Sequence, residues 1–364
     1  MKVITVLGNN SGRNAGDMAI LGNLLRDISK MRSDVEFWVP TTHPKFLIHH
    51  FGMFRMKTIP LLPWYGAIKN FGLPLAYSML MADMVLICDN ILFDRKFYNP
   101  VFNNLSSISL FAPLCKRKNI PIIPYNASIG PVDHPVGAKA LKRIIDATPL
   151  VITRDIQTGR LFDRLGIHAK KVIVHADCAL NTIPPPANRL DAIIRKEGLF
   201  KNPKGTIGIN VNAYIDNWGM KGTLSGQNFS KMIAATMDRL IETLDVDIMM
   251  PVTQVMDSHV TQRCAEASRY RERIRIISCR DYTYEEIAGL LQKVEVHAGL
   301  RTHTLIFCAA MNTPMVCIKS YPKSTGFMNS IKQDEWMIGF EDLTIENLFE
   351  IIKKSWDRKD QTRK

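Results

Sequence analysis

Short apolar segments alternate with helical patterns along almost the whole chain. Residues 3–7 have the length of a buried strand, and apolar residues from Met18 to Ile28 then recur at helical spacing. This alternation is typical of α/β proteins built on parallel sheets. Further strands are predicted at residues 35–39, 84–88, 120–123, 150–153, 206–211, 247–252, 274–278, 294–298 and 315–319. Further helices are predicted at 103–116, 138–147, 228–244, 257–270, 284–292 and 345–356.

The alternation breaks once, at the sequence TIPPPANR, where three consecutive prolines can neither continue a helix nor occupy a central strand. A chain of 364 residues is also longer than a single core usually supports. We therefore predict two Rossmann-like α/β domains facing a cleft, residues 1–184 and residues 185–364. Open parallel sheets bind ligands outside the carboxyl ends of their strands.

The formal net charge of +13 favours anionic partners: nucleic acid, an anionic membrane surface or a phosphorylated substrate. A basic surface without any anionic ligand is the alternative. The chain contains no zinc-finger spacing, RNP-like signature or basic-region helix, so we expect no nucleic-acid partner.

Seven cysteines occur without a CxxC spacing, which predicts buried free thiols in a reducing compartment. The first strand begins at once, so no signal peptide is expected, and the apolar stretch 71–86 is too interrupted to span a membrane. These features indicate a cytoplasmic protein. No HExxH, GxSxG or paired CxxC motif occurs, which argues against a zincin, a nucleophile-elbow hydrolase and a zinc ribbon. The sequence shows no cluster of metal ligands, so we expect no obligatory metal, and we expect no cofactor.

The first strand leads into GNNSGRNAGDMAIL, residues 8–21. Small residues let the backbone approach a ligand, and the start of the following helix is a natural anion site. In the alternative interpretation, Asn14 and Asp17 only cap the helix.

Arg154 and Asp155 directly follow the predicted strand 150–153. Asp155 is placed to cap the next helix, whereas Arg154 stands at a carboxyl end, where α/β proteins build ligand sites. An ordinary surface arginine is the alternative.

The sequence GLRTHTLIFCAAMNTP, residues 299–314, connects a predicted strand to a largely apolar helix. Arg301 and His303 fall at the helix start, where a cation is electrostatically unfavourable. The cost calls for a compensating anion, which an anionic ligand would supply. Lys319 and Lys323 add positive charge after the next strand, and a solvated connection is the alternative.

Six segments together resemble the polysaccharide pyruvyl transferase family, in the family's order and over nearly the whole chain. They are GRNAGDMAIL, NASIGP, TRDIQTGRLFDRLGI, HADCAL, GLRTHTLIFCAAMNTP and SYPKSTGF. The resemblance implies a glycosyltransferase-B-like fold. It also implies transfer of pyruvate from phosphoenolpyruvate onto two hydroxyls of a sugar as a ketal, in the biosynthesis of an exopolysaccharide or another cell-surface polysaccharide.

Site residues follow from the matched motifs. Arg301 and His303 match the positions that hold phosphoenolpyruvate and act in acid/base catalysis. Arg154 and Lys323 match further basic positions of the motifs, and we assign them to donor binding. The second domain is then the phosphoenolpyruvate side and the first the side of the sugar acceptor, free or lipid-linked.

Two departures from the family pattern stand out. Thr302 replaces a leucine, and Cys88, Asp89 and Asn90 stand where members often have a glycine-rich loop. The second departure bears on the acceptor, for which Asn14, Asp17, Asp89 and Asn90 are the candidate loop residues.

Two other functions stay open: a nucleotide-sugar glycosyltransferase of the same fold, or a non-catalytic relative that binds sugar or lipid. A ribose-binding glutamate is expected of the former, yet residues 299–329 contain no acidic residue. That absence favours a small, doubly anionic donor.

Peripheral contact with the inner face of a membrane is a further hypothesis. Aromatic and basic residues suited to a bilayer interface are interleaved between residues 51 and 80. They are Phe54, Trp64, Tyr65 and Phe71, with Arg55, Lys57 and Lys69. Packing of this segment on the sheet is the alternative.

Overall fold

A computed structural model of the protein describes residues 1–61, 72–94, 104–213, 226–319 and 322–363. The chain divides into two compact units. The first unit comprises Met1–Gly12 and Asp17–Cys178, and the second comprises Arg13–Gly16 and Ala179–Lys364. Each unit is built on its own parallel sheet.

Among the described residues, seven parallel strands form the first sheet in the order β3-β2-β1-β4-β5-β6-β7. The strands are β1 (Lys2–Leu7), β2 (Val35–Thr41), β3 (Met56–Pro60), β4 (Met84–Asp89), β5 (Ile122–Ala127), β6 (Val151–Thr153) and β7 (Val172–Val174). The helices are α1 (Ala15–Met31), α2 (Pro44–Phe51), α3 (Leu73–Leu80), α4 (Asn104–Arg117), α5 (Pro135–Ile145) and α6 (Gln157–Leu165). The order reverses between β1 and β4, which makes their carboxyl ends a topological switch point.

The second sheet contains six described parallel strands in the order β10-β9-β8-β11-β12-β13. They are β8 (Thr206–Asn210), β9 (Asp247–Val252), β10 (Ile274–Ser278), β11 (Val296–Gly299), β12 (Met315–Lys319) and β13 (Met337–Gly339). The helices are α7 (Ala187–Glu197), α8 (Gly226–Leu244), α9 (Ser258–Glu266), α10 (Tyr284–Leu291), α11 (Thr302–Ala310), α12 (Pro322–Ser330), α13 (Ile345–Asp357) and α14 (Lys359–Thr362). Here the order reverses between β8 and β11.

The predicted parallel α/β architecture is confirmed, and the predicted strands all have counterparts in the two sheets. The unpredicted strands β3, β7 and β13 lie at sheet edges. An edge strand is less completely covered, so it lacks the continuous apolar run that identifies a central strand. Two of the three residues of β7, for example, are exposed.

The chain passes from one unit to the other at positions that its amino-acid composition does not reveal. The change falls at Cys178, ahead of the predicted boundary at 184/185, and the proline run leads directly into α7 with Pro186 as its N-cap. Arg13–Gly16 belongs to the second unit because its backbone is hydrogen-bonded there. The amide of Ala15 donates to the carbonyl of Thr253 (2.8 Å), and the amide of Val255 donates to the carbonyl of Arg13 (3.0 Å).

All seven cysteines are buried and free, as their sequence spacing predicted. Within the described part of the chain, the helices are too short or too polar to cross a bilayer.

His297, to which the sequence analysis assigned no role, lies fully buried in β11. Among the residues that the structure describes, neither ring nitrogen of His297 has a hydrogen-bond partner. The ring lies against the backbone of Gly208 on the neighbouring strand and of Gly299 on its own, where a Cβ atom would crowd it. Burial lowers the pKa of His297 to about 3, so the ring is neutral at physiological pH.

We predict that this buried ring destabilises the second unit in acid. Between about pH 6.5 and about pH 3 the unfolded chain binds a proton on His297 that the folded chain excludes, so acidification favours unfolding. The contribution is about 1.4 kcal/mol per pH unit in that window. Urea unfolding at pH 7, 6 and 5 should show a shallower pH dependence for His297→Leu than for the wild type. The exposed His168 supplies the control, since His168→Leu should keep the wild-type slope. Parallel slopes for the wild type and His297→Leu would contradict the prediction.

Candidate functional site

The switch point of the second sheet brings together polar residues that are distant in sequence. Asn210 ends β8, and Arg301 follows β11, its immediate neighbour. The amide of Arg301 donates to Oδ1 of Asn210 (3.0 Å), while Nδ2 of Asn210 donates to the carbonyl of Pro251 (2.8 Å). One asparagine thus fixes the chain where three parallel strands end.

The guanidinium of Arg301 is held by the carboxylate of Asp257. Nε donates to Oδ2 (2.7 Å) and Nη2 donates to Oδ1 (2.5 Å), a two-point contact that fixes the orientation of the guanidinium plane. The side chain of Asp257 is 0% exposed and that of Arg301 13% exposed. The same carboxylate accepts the amide of Ala213 (2.9 Å). Arg301 is therefore oriented before any ligand binds.

This ion pair corrects one argument from the sequence. The helix-dipole cost at Arg301 predicts an anionic ligand, yet Asp257 already supplies a buried negative charge. The two residues are far apart in sequence, and their charges pair only once β9 and β11 lie in one sheet. A negative charge is required beside Arg301, and the carboxylate of Asp257 supplies at least one.

His303 lies in the first turn of α11 and is partly buried. Its ring lies against the backbone of Gly16, at a place where a Cβ atom would overlap the imidazole. Asn14 caps α1, because its Oδ1 accepts the amide of Gly16 (2.9 Å), which confirms the capping interpretation for this residue. The loop predicted to approach a ligand thus also forms one wall of the His303 position.

The start of α11 lacks a side-chain cap. Its N-cap residue is Arg301, in extended conformation, with no capping hydrogen bond. An arginine has no acceptor atom, so it cannot do what serine or aspartate do at this position. Lys323 lies in the first turn of α12, which packs against α11.

A second polar cluster occupies the switch point of the first sheet. Nη1 of Arg154 donates to Oδ2 of Asp177 (2.7 Å), and Asp89 lies 3.9 Å from the same guanidinium. The Arg154 side chain is 10% exposed, so the surface interpretation was wrong. Asp177 also accepts a hydrogen bond from Asn126 (3.2 Å). Asp155 accepts the amide of Thr158 in the first turn of α6 (2.9 Å), but the N-cap residue is Ile156, one position later than predicted.

The surroundings of Asp17 in this cluster favour its protonated form. Burial, then the negative charge of Asp89 and a hydrogen bond with it, raise the pKa of Asp17 well above its usual range. Burial alone would lower the pKa of Arg154, but the charges of Asp177 and Asp89 outweigh it and raise that pKa. The neutral acid form of Asp17 is thus favoured, beside a carboxylate and a permanent cation. Such a pair can hold one proton between two carboxyl groups.

The departure from the glycine-rich loop has a backbone consequence at Asp89. This residue adopts φ of 70°, a left-handed conformation in which a glycine is ordinarily favoured. Asn90 follows it in the loop. An aspartate at this position is strained in its backbone, but it places a carboxylate at the switch point, which a glycine cannot do.

The structure thus sorts the predicted site residues by unit. Asp17, Asp89, Asn90 and Arg154 lie in the first unit, and Asn14, Arg301, His303 and Lys323 in the second. Sequence reasoning missed Asn210, Asp257 and Asp177, although each follows or ends a strand, which was the available signal. Across the described ranges, no group of three or more His, Cys, Asp or Glu side chains is placed to hold a metal ion.

Comparison with known proteins decides the family. The family model described as polysaccharide pyruvyl transferase matches residues 14–320, most of the chain. The chain belongs to the polysaccharide pyruvyl transferase family. The matched range includes Arg154, Arg301 and His303 and ends just before Lys323. No curated protein matches the chain.

The fold of this chain is similar to that of several solved structures. A UDP-GlcNAc 2-epimerase from Methanocaldococcus jannaschii is 11% identical with a TM-score of 0.64, and the match covers 98% of this chain and 93% of that one. One from Neisseria meningitidis, bound to UDP-GlcNAc, is 10% identical with a TM-score of 0.66, covering 100% and 94%. The ADP-heptose heptosyltransferase II of E. coli is 13% identical with a TM-score of 0.53, covering 99% and 100%. These likenesses confirm the glycosyltransferase-B-like two-domain fold.

We predict that breaking the buried ion pair strongly destabilises the second unit. Asp257→Ala should lower its free energy of unfolding by about 3 kcal/mol, because it leaves the Arg301 guanidinium unpaired in a largely buried site. Urea unfolding would measure the change. Asp247→Ala is the matched control: it removes a partly exposed carboxylate that pairs with Arg273 (3.0 Å), so a loss of about 1 kcal/mol or less is expected. Equal losses for the two variants would count against the prediction.

Proposed function

We propose that the protein transfers the pyruvyl group of phosphoenolpyruvate onto two hydroxyls of a sugar as a ketal, releasing phosphate. The observation that carries this proposal is the start of α11. There an arginine with a fixed guanidinium plane and a histidine flank a helix terminus without a side-chain cap. Membership of the family supports the same reaction.

The donor fits this arrangement. Phosphoenolpyruvate carries a carboxylate and a phosphate, the groups that arginine and a helix N-terminus bind best. Arg301 is the proposed donor ligand, and Asp257 and Asn210 position it. The donor roles of Arg154 and Lys323 stay predictions. Like Arg301, Arg154 pairs with carboxylates, here those of Asp177 and Asp89.

The reaction needs one group that both gives and accepts a proton. The methylene carbon of phosphoenolpyruvate gains a proton, which leaves positive charge on the adjacent carbon, and one sugar hydroxyl attacks that carbon. The bond between this carbon and the oxygen of the phosphate group then breaks, and the second sugar hydroxyl attacks the same carbon. One hydroxyl proton replaces the proton given to the methyl group, and the other leaves with the phosphate. We assign the proton transfers to His303, since an imidazole titrates near neutrality.

The acceptor is assigned to the first unit in this proposal. Sugar hydroxyls donate hydrogen bonds to carboxylates, and Asp89 and Asp177 supply these at the switch point of the first sheet. Asp17 and Asn90 complete the set of candidate acceptor residues.

We predict phosphate release that depends on both phosphoenolpyruvate and a sugar. The purified protein should be tested against free and lipid-linked sugars, with His303→Ala beside it. Loss of a proton-transfer group should lower kcat by roughly a hundredfold to ten-thousandfold. Arg301→Lys keeps the charge but loses the two-point geometry, so it should raise the KM for phosphoenolpyruvate.

His168→Ala, at an exposed histidine of the first unit, is the control and should keep full turnover. A folded His303→Ala protein with wild-type turnover would disprove the catalytic assignment. If no sugar elicits phosphate release and calorimetry detects no binding of phosphoenolpyruvate, the reaction class is wrong. Nucleotide sugars would then be the donors to test.

A separate prediction concerns the wall of the His303 position. Gly16→Ala should displace the imidazole and lower kcat by about tenfold to a hundredfold, because small misplacements of a catalytic group are costly. The matched control is Gly159 in α6, where an added Cβ atom would meet open space. Gly159→Ala should keep full turnover and raise stability by up to about 1 kcal/mol. Unchanged turnover in Gly16→Ala would show that the contact does not position His303.

A further inference from the structure

The outer faces of α3 and α4 carry a set of exposed apolar side chains. On α3, Leu73 (61% exposed) and Tyr77 (47%) lie one helical turn apart, and Met81 (56%) follows at its end. On α4, Leu110 (58%) and Leu114 (40%) lie one turn apart. We call these five residues the apolar ridge. Clustered exposed apolar side chains often mark a surface that binds a partner or a membrane.

Both helices present the ridge on one side of the first sheet. Their opposite faces, which include Leu75 and Met79 of α3 and Leu105 and Ile108 of α4, join the same hydrophobic core cluster. The two helices pack against each other, and the residue before α3, Gly72, lies beside the ring of Phe111. Since both inner faces cover the same side of the sheet, the outer faces are turned the same way.

Positive charge lies at the end of the ridge. Lys116, Arg117 and Lys118 are all exposed at the carboxyl end of α4. Lys57 lies over the ring of Trp38 (4.7 Å to its centroid), which stacks on Tyr77 of the ridge. No aspartate or glutamate occurs in residues 72–82 or 104–118. Two acidic residues lie nearby: Asp83, which pairs with Lys2 (2.9 Å), and Glu36, which accepts a hydrogen bond from Trp38 (2.8 Å). The surface therefore combines apolar side chains with an excess of basic ones.

We propose that the apolar ridge and the basic end of α4 dock the protein on an anionic bilayer surface. Apolar side chains enter the boundary between headgroups and acyl chains, and lysine and arginine attract acidic lipids. A second copy of the chain is a poorer occupant, because a two-fold interface can bring the same basic residues face to face. Trp64, Tyr65, Lys69 and Phe71, from the membrane hypothesis based on sequence, lie outside the described residues and carry no part of this proposal.

Flotation with vesicles tests the proposal. The protein should float with vesicles of phosphatidylcholine and phosphatidylglycerol, and much less with phosphatidylcholine alone. Leu110→Glu with Leu114→Glu removes apolar contact, and Arg117→Glu with Lys118→Glu reverses the charge. Each double variant should lower the partition coefficient by roughly tenfold or more. All four positions are exposed, so the variants should fold, which circular dichroism would check.

Two control variants make the same charge changes elsewhere in the first unit. Ile48→Glu with Met53→Glu alters residues that are 57% and 75% exposed, at or near α2. Lys170→Glu with Lys171→Glu reverses two exposed lysines near β7. Both controls should float like the wild type. Equal loss of flotation in the controls would overturn the proposal, since binding would then follow net charge rather than this surface.

Failure of the wild type to float with acidic vesicles would also overturn it. If sedimentation then showed a dimer that the Leu110→Glu/Leu114→Glu variant cannot form, the ridge would be a self-association surface. Flotation uses neither phosphoenolpyruvate nor a sugar, so its outcome is independent of the proposed transferase activity.

Discussion

The second-unit site depends on the buried ion pair between Arg301 and Asp257. Removing two charges from water is costly, and the pair persists because it is bidentate and because Asp257 also binds a backbone amide. A single carboxylate thereby joins the turn after β9, the chain after β8 and the start of α11. The position of His303 follows, since it lies on the same helical turn as the arginine. Stability and positioning of the site are thus provided by the same contact.

The two switch points use opposite charge arrangements. In the second sheet one buried carboxylate orients one arginine beside a helix terminus. In the first sheet one arginine lies among several carboxyl groups, one of which favours its protonated form. The first arrangement suits an anion, whereas the second suits neutral donors of hydrogen bonds such as hydroxyl groups.

The sequence predicted much of this structure, and its failures have physical causes. Central strands were predicted because burial on both faces produces continuous apolar runs, whereas edge strands such as β7 lack that signal. Arg301 and His303 were found by motif and position. Their partners were not: Asp257 and Asn210 meet Arg301 only through sheet topology, and Gly16 meets His303 through a segment that joins the other unit. Local sequence patterns cannot predict such contacts between residues that are distant in sequence.

The exchange of Arg13–Gly16 between the units bears on any attempt to dissect the protein. A gene fragment that encodes only residues 179–364 would contain Arg301, Asp257 and Asn210 but would omit four residues of its own unit. The carbonyl of Thr253 and the amide of Val255 would lose their partners, and His303 would lose the backbone against which it lies. The second unit is therefore discontinuous in sequence, and an excised version that keeps these contacts has to include residues 13–16 as well.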